Sequence, residues 1–250
     1  MKPFSTFLLS GLLLASCAGS ANRPDQTKIG QAIKTEGEIF LRQGNYTAAL
    51  TRLLEAKKSL PEDPLLYNSL GLTYIAKKRD DLAEASFKKA LSLKPDYLEA
   101  VNNLGVAYLR QEKWDLAIDT LKSLLDNLLY PTPHFPLSNI GWAFLGKKEF
   151  ASAETYFKKS LDESPEFPTA IHGIAQVYIR TGQTDRAIQY LNEKLQGKLD
   201  AAILHADLAQ AYEEKGQIKF ALRSWELVLK LSPENSSLAQ KAKDRLRDLQ

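Results

Sequence analysis

One small residue recurs along this chain at a nearly fixed interval: Gly37, Gly71, Gly105, Gly141, Ala175 and Ala209, with steps of 34, 34, 36, 34 and 34. A second small residue follows each marker by 12, at Ala49, Ala83, Ala117, Ala153, Ala187 and Ala221. A large apolar or aromatic residue follows each marker by 3, at Phe40, Tyr74, Tyr108, Phe144, Tyr178 and Tyr212. Pro61, Pro95, Pro165 and Pro233 stand 24 residues after four of the markers. A period of this length means stacked units, each burying its apolar face only against its neighbours. Such solenoids present long concave surfaces to other proteins.

The spacing places the marker in the first helix of a unit and the second small residue in the return helix. Two facing small residues let the helices approach to the short end of the usual separation. The aromatic lies one turn from the marker on the same face and is expected to fill the space the small pair leaves. Proline after the return helix stops it, because the preceding residue is pushed out of the helical region. Over roughly residues 30 to 233 this resembles the tetratricopeptide pattern. The resemblance implies an all-α, right-handed superhelical solenoid of six tetratricopeptide repeats. First helices are predicted near 30–43, 64–77, 98–111, 135–147, 168–181 and 201–215. Return helices are predicted near 46–59, 80–92, 114–127, 150–162, 184–196 and 218–230. After Pro233, Leu238, Ala242, Leu246 and Leu249 form one stripe, backed by Lys241, Lys243, Arg245, Arg247 and Asp248. This reads as a C-terminal capping helix closing the last apolar face, so 30–250 forms one repeat domain.

The start carries a second message. Lys2 is followed by a short apolar run, Phe4 to Leu14, and then Leu14-Ala15-Ser16-Cys17. A positive residue, about ten mostly apolar residues and a small-residue cleavage site make a secretory signal. The run is too short for a membrane span, which needs about 20 residues. Leu-Ala-Ser-Cys resembles the bacterial lipobox, which implies a signal peptide over 1–16, cleavage before Cys17, a diacylglyceryl group on its sulfur and a fatty-acyl (palmitate) chain on the new amino terminus. An ordinary signal with an incidental cysteine is the alternative. Cys17 is the only cysteine, so no intramolecular disulfide exists. Several acyl chains anchor firmly, each buried methylene contributing about 0.8 kcal/mol. Alanine at position 18 favours the outer membrane, by resemblance to enteric lipoprotein sorting. Residues 17–29 read as a lipidated flexible tether, reaching on the order of 20 Å as a coil.

The balance of 33 basic and 30 acidic side chains offers no clustered basic face and argues against a nucleic-acid partner. Catalysis has little support. His134, His172 and His205 stand far apart and lack metal-ligand spacing. There is no glycine-rich phosphate loop. Asp80-Asp81 and Glu213-Glu214 read as solvated helix faces. No cofactor and no enzymatic activity are expected.

The groove is expected to carry function. By resemblance, positions 3 before, 1 after and 4 after each marker line the concave wall. These are Asn68, Leu72 and Ile75; Asn102, Val106 and Leu109; Ser138, Trp142 and Leu145; and His172, Gln176 and Ile179, with Arg110 and Arg180 at the edge. A mostly apolar wall with an asparagine-containing polar row suits an amphipathic helix or extended peptide. Part of the set is expected to serve as inter-repeat core instead. Trp142 is the leading anchor, tryptophan being enriched at hot spots. The carboxylate clamp of some tetratricopeptide domains wants a basic pair in the third unit, where Glu99 and Asn103 stand, so that clamp is not met. The lengthened step falls at Asn127-Leu128-Leu129-Tyr130-Pro131-Thr132-Pro133-His134-Phe135-Pro136. Its prolines predict a stiff extended segment. It is read as either a longer inter-repeat loop or a partner-facing lip bearing Leu128, Tyr130 and Phe135.

A lipobox, six units, a cap and a tyrosine-proline linker after the third unit together resemble the lipoproteins of type IV pilus biogenesis, the secretin pilotin family. That resemblance implies an outer-membrane, periplasm-facing protein that binds a secretin subunit and assists its localisation and multimerisation. It assigns no individual contact residues. The alternative is a general envelope scaffold recruiting peptidoglycan enzymes or other periplasmic proteins.

Overall fold

The computed structural model describes residues 25–127, 130–196 and 201–249. The expected signal peptide, Cys17, most of the tether and Leu128 lie outside the described residues. Thirteen helices are described, and no strand. They pair as α1 (Gln26–Arg42) with α2 (Tyr46–Ser59), α3 (Pro64–Ala76) with α4 (Asp80–Leu93), and α5 (Leu98–Arg110) with α6 (Trp114–Leu125). The series continues with α7 (His134–Gly146) and α8 (Phe150–Glu163), α9 (Pro168–Arg180) and α10 (Thr184–Leu195), and α11 (Ala202–Glu214) and α12 (Ile218–Leu231). The single helix α13 (Ser237–Leu249) packs on α12 and α11. Each first helix also packs on the first helix of the next repeat, forming one continuous wall.

The six turns between paired helices share one hydrogen-bond scheme. The carbonyl of the aromatic residue three after each marker accepts the backbone N–H five residues on, as in Asn45 to Phe40 at 2.9 Å and Gln217 to Tyr212 at 2.8 Å. This bond closes the helix end in the manner of a Schellman motif. It requires a left-handed residue seven after the marker, and all six have positive φ: Gly44, Lys78, Glu112, Lys148, Gly182 and Gly216. The same backbone turn therefore sets the return angle in every repeat.

The small marker is explained differently from the sequence expectation. What it accommodates is the large residue 16 positions on. A Cβ on Gly37 would meet Leu53 at 2.8 Å, on Gly71 Phe87 at 2.4 Å, on Gly105 Leu121 at 2.5 Å and on Gly141 Phe157 at 2.7 Å. Leu191 and Trp225 hold the corresponding positions opposite Ala175 and Ala209, and all six large side chains are fully buried. The aromatic three residues on plays a varied part: Tyr108 and Tyr178 are buried in the core, whereas Tyr74 and Phe144 are only half-buried at the cluster edge. A flat or branched side chain lies directly on the bare helix backbone, and this sets the close approach.

Two boundaries differ from the sequence reading. Helix α1 begins at Gln26, with the Asp25 side chain accepting the Thr27 N–H at 3.0 Å, so residues 26–29 are helical and not tether. Helix α7 begins at His134, one residue before its predicted start, so the last three residues of the stretch expected to be extended, His134, Phe135 and Pro136, form its first turn. Proline is tolerated there because first-turn N–H groups have no intrahelical partner. The stiff segment is thus shorter than its prolines suggested.

The cap matches its expectation. Ala239 and Ala242 are buried, and Leu238, Leu246 and Leu249 pack beside Trp225. Glu213 accepts the Trp225 indole N–H at 2.6 Å and also holds Arg245. At the other end, Lys34 is 3% exposed and its Nζ lies 2.6 Å from Asp63 Oδ2, while Asp63 Oδ1 caps α3 through the Leu65 and Leu66 N–H groups. No described helix is long and apolar enough to cross a membrane.

Candidate functional site: two hollows in the groove

The first helices α3, α5, α7 and α9 form the middle of the wall, and two hollows open along it. One, of about 350 Å³, lies over α7 and is lined by Val106, Leu109 and Arg110 of α5, Trp114 of α6, Trp142, Leu145 and Gly146 of α7, and Arg180 of α9. Gly146 seats one of its walls. A Cβ there would meet the Trp114 indole at 2.7 Å, so the ring lies across bare backbone. Trp142 forms one wall, its ring edge-to-face with Phe157 at 5.3 Å and tilted against His172 at 4.9 Å.

The second hollow, of about 400 Å³, lies toward the N-terminal repeats. It is lined by Asn68 and Leu72 of α3, Tyr97, Glu99, Asn102 and Asn103 at the start of α5, and Tyr130, Thr132 and Phe135 of the linker and α7. Phe135 is 43% exposed and forms a cluster with His134 and Phe167, at centroid distances of 4.2 and 5.3 Å. Burial, with the Glu99 carboxylate nearby, pushes the Tyr97 phenol above its ordinary value.

The expected groove residues separate into three groups. Val106, Leu109 and Trp142 meet in the first hollow. Asn68, Leu72, Asn102, Tyr130 and Phe135 meet in the second. Ile75, His172 and Gln176 line neither hollow: Ile75 packs against the core beneath the groove, and Asp207 of the next repeat occupies the other two. His172 Nδ1 lies 2.5 Å from Asp207 Oδ2, and Gln176 Nε2 donates to Asp207 Oδ1 at 2.9 Å. Asn68 also bridges repeats, accepting from Asn103 Nδ2 at 2.9 Å. The expected exposed positions Ser138, Leu145 and Ile179 are buried. Leu145 nonetheless contributes to the floor of the first hollow.

Several contributors were not singled out by their spacing. Trp114 begins a return helix and reaches the groove only because Gly146 leaves room. The available signal is the residue five after each marker: Arg42, Ala76, Arg110, Gly146, Arg180 and Glu214. Read in that register, a glycine is flanked by arginines from the two neighbouring repeats. Asp207 has the plainer signal of an acidic residue in an otherwise apolar helical stretch. Among the described residues, no three His, Cys, Asp or Glu side chains gather as a metal site.

Known proteins match this architecture. Tetratricopeptide repeat models match residues 34–97 and 81–128, and another matches 144–195, together more than half of the chain. The chain is a tetratricopeptide-repeat protein. It is 25% identical over 217 residues to the type IV pilus assembly protein PilF of Pseudomonas aeruginosa, covering 84% of this chain and 86% of that protein. It is 33% identical over 109 residues to the chloroplastic tetratricopeptide repeat domain-containing protein PYG7 of Arabidopsis thaliana, but that match spans 40% of this repeat protein and only 36% of its relative. The crystal structure of PilW, described as a widely conserved type IV pilus biogenesis factor, superposes with a TM-score of 0.69 at 24% identity. It covers 86% of this chain and 99% of that one, a likeness of fold.

Proposed function

We propose that this tetratricopeptide-repeat protein is a lipid-anchored outer-membrane component that faces the periplasm and binds a secretin subunit in its groove, assisting secretin localisation and multimerisation in type IV pilus biogenesis. The observation that carries the reading is the near end-to-end match to PilF. A generic repeat likeness, such as that to PYG7, covers only part of either chain. The lipobox-like start ending at Cys17 supports the anchor. The apolar hollow between Trp142 and Leu109 supports capture of a protein segment without chemistry on it.

The test is deletion of the gene, with secretin multimers and surface pili as readouts. Fewer of both are expected, and normal multimer levels overturn the secretin assignment. Copurification of peptidoglycan hydrolases with normal multimers would point to the envelope scaffold instead. In the intact gene, Trp142→Ala with Leu109→Ala should weaken secretin capture roughly 30-fold, the equivalent of about 2 kcal/mol at a hot spot. Cys17→Ser should abolish acyl labelling and membrane fractionation.

A further inference from the structure

The hollow over α7 carries a charge that no described residue answers. Arg110 and Arg180 occupy the same register, five after their markers, in the third and fifth repeats. Arg110 is answered internally: its Nε donates to Asp80 Oδ1 at 2.6 Å and its Nη2 to Asp80 Oδ2 at 3.4 Å. Asp80 lies thirty residues earlier, at the start of the previous return helix. The equivalent position for Arg180 is Phe150, which packs into the core below. Arg180 is exposed and makes no hydrogen bond or ion pair with any described residue. Two other cations of the stack, Lys147 and Lys113, find carboxylates across the repeat boundary, in Asp115 at 2.8 Å and Glu84 at 2.7 Å. An unpaired guanidinium thus stands at the rim of an apolar hollow floored by Gly146 and walled by Trp114 and Trp142.

We infer that this hollow reads a two-part motif within a polypeptide: one large apolar side chain, with an Asp or Glu side chain within a helical turn of it. The apolar group fills the space between the Trp114 and Trp142 indoles. The carboxylate meets Arg180, whose planar fork suits bidentate pairing. The carboxylate is assigned to a side chain and not to a chain terminus: Asn102 of the second hollow stands one helical turn before Val106 of the first on α5, within reach of a segment longer than the motif. The inference rests on the proposed function only in taking a protein segment as the occupant.

The test uses the full-length chain extracted from membranes in detergent and panned with random dodecapeptides fused through their C-termini to a phage coat protein, which masks every terminal carboxylate. Enrichment of peptides pairing a large apolar residue with a nearby Asp or Glu is expected. A synthetic copy of the leading peptide, amidated at its C-terminus, should bind about 10-fold more weakly when its acid is replaced by the amide. It should lose a similar factor against Arg180→Glu, and a lysine in place of the acid should restore binding to that variant. Arg180→Glu should melt with the wild type, the side chain being exposed and unpaired. Failure to enrich any peptide, enrichment of peptides without acid, or equal binding to Arg180→Glu overturns the inference. None of these outcomes touches the secretin assignment, which the multimer assay reads separately. Normal multimers alongside acid-dependent peptide binding would overturn that assignment alone.

Discussion

Substituting Gly173 by alanine should destabilise the fourth and fifth repeats, although alanine is the better helix former. A Cβ at this position would lie 2.3 Å from Cε1 and Cζ of Phe157, against an ordinary contact of 3.4 Å or more. The ring must move by about 1 Å, and it has nowhere to go. On its other side, Gly141 leaves room for a Cβ only 2.7 Å away, and Trp142 packs edge-to-face at 5.3 Å. Helix propensity favours alanine over glycine by about 1 kcal/mol. Overpacking a rigid, fully buried ring costs about 1–3 kcal/mol, here near the upper end because both flanking backbones are in contact. The net expectation is a loss of about 2 kcal/mol, or roughly 4–8 °C in melting temperature for a domain of this size. Urea unfolding followed by far-UV circular dichroism measures it. Phe157→Leu replaces the ring by a smaller branched chain, should cost about 1–2 kcal/mol by itself through the volume it removes, and should offset part of the Gly173→Ala defect. The double variant should therefore be more stable than additivity predicts by about 1 kcal/mol. A Gly173→Ala protein at least as stable as wild type, or strict additivity with Phe157→Leu, would refute the account of the Phe157 ring as held between the bare backbones of Gly141 and Gly173.

Two further perturbations test the turns and the electrostatics. Replacing Lys78, Glu112 and Lys148 together by glycine relieves three left-handed side-chain-bearing positions. It should raise stability by about 0.5 kcal/mol per site, the gain in the fold exceeding the added entropy of the unfolded chain; a lower melting temperature for the triple variant would contradict the turn assignment. Burial by itself would raise the Glu84 carboxyl, but hydrogen bonds from Lys113, Lys88 and Gln111 hold it down to about 2, from 4.5 in the unfolded chain. Because the folded value is the lower, this contribution is present above pH 4.5 and is lost as the pH falls toward 2. Glu84→Gln should therefore reduce stability at pH 7 by about 1–2 kcal/mol and flatten the acid limb of the stability profile. Parallel acid limbs for the two proteins would show that Glu84 is not held as described.

Much of the fold is legible from spacing, because a hairpin repeat is a local object. The marker, the aromatic three on, the small residue twelve on and the proline all report contacts within one unit, and these fall at fixed separations along the chain. The helix boundaries followed to within a few residues. The departures have local causes that spacing does not carry. Asp25 caps α1 earlier than the composition of the tether suggests, and Pro136 is accepted inside the first turn of α7.

The groove is less legible, because exposure there depends on what the next repeat brings. His172 and Gln176 sit at positions that face the groove in register, yet Asp207 of the following repeat binds both. Leu109, Val106 and Trp142 do line a hollow, which exists because Gly146 lets an indole from another hairpin lie across it.

The sequence by itself determined that this chain is a stack of six helical hairpins with a cap, since periodicity records the contacts each unit makes with itself and its nearest neighbour. Only the tertiary structure decided which wall residues remain open and that Arg180, unlike Arg110, finds no carboxylate among the described residues. Those outcomes depend on side-chain volumes and charges contributed by helices of different repeats, thirty or more residues apart, whose meeting no single period encodes.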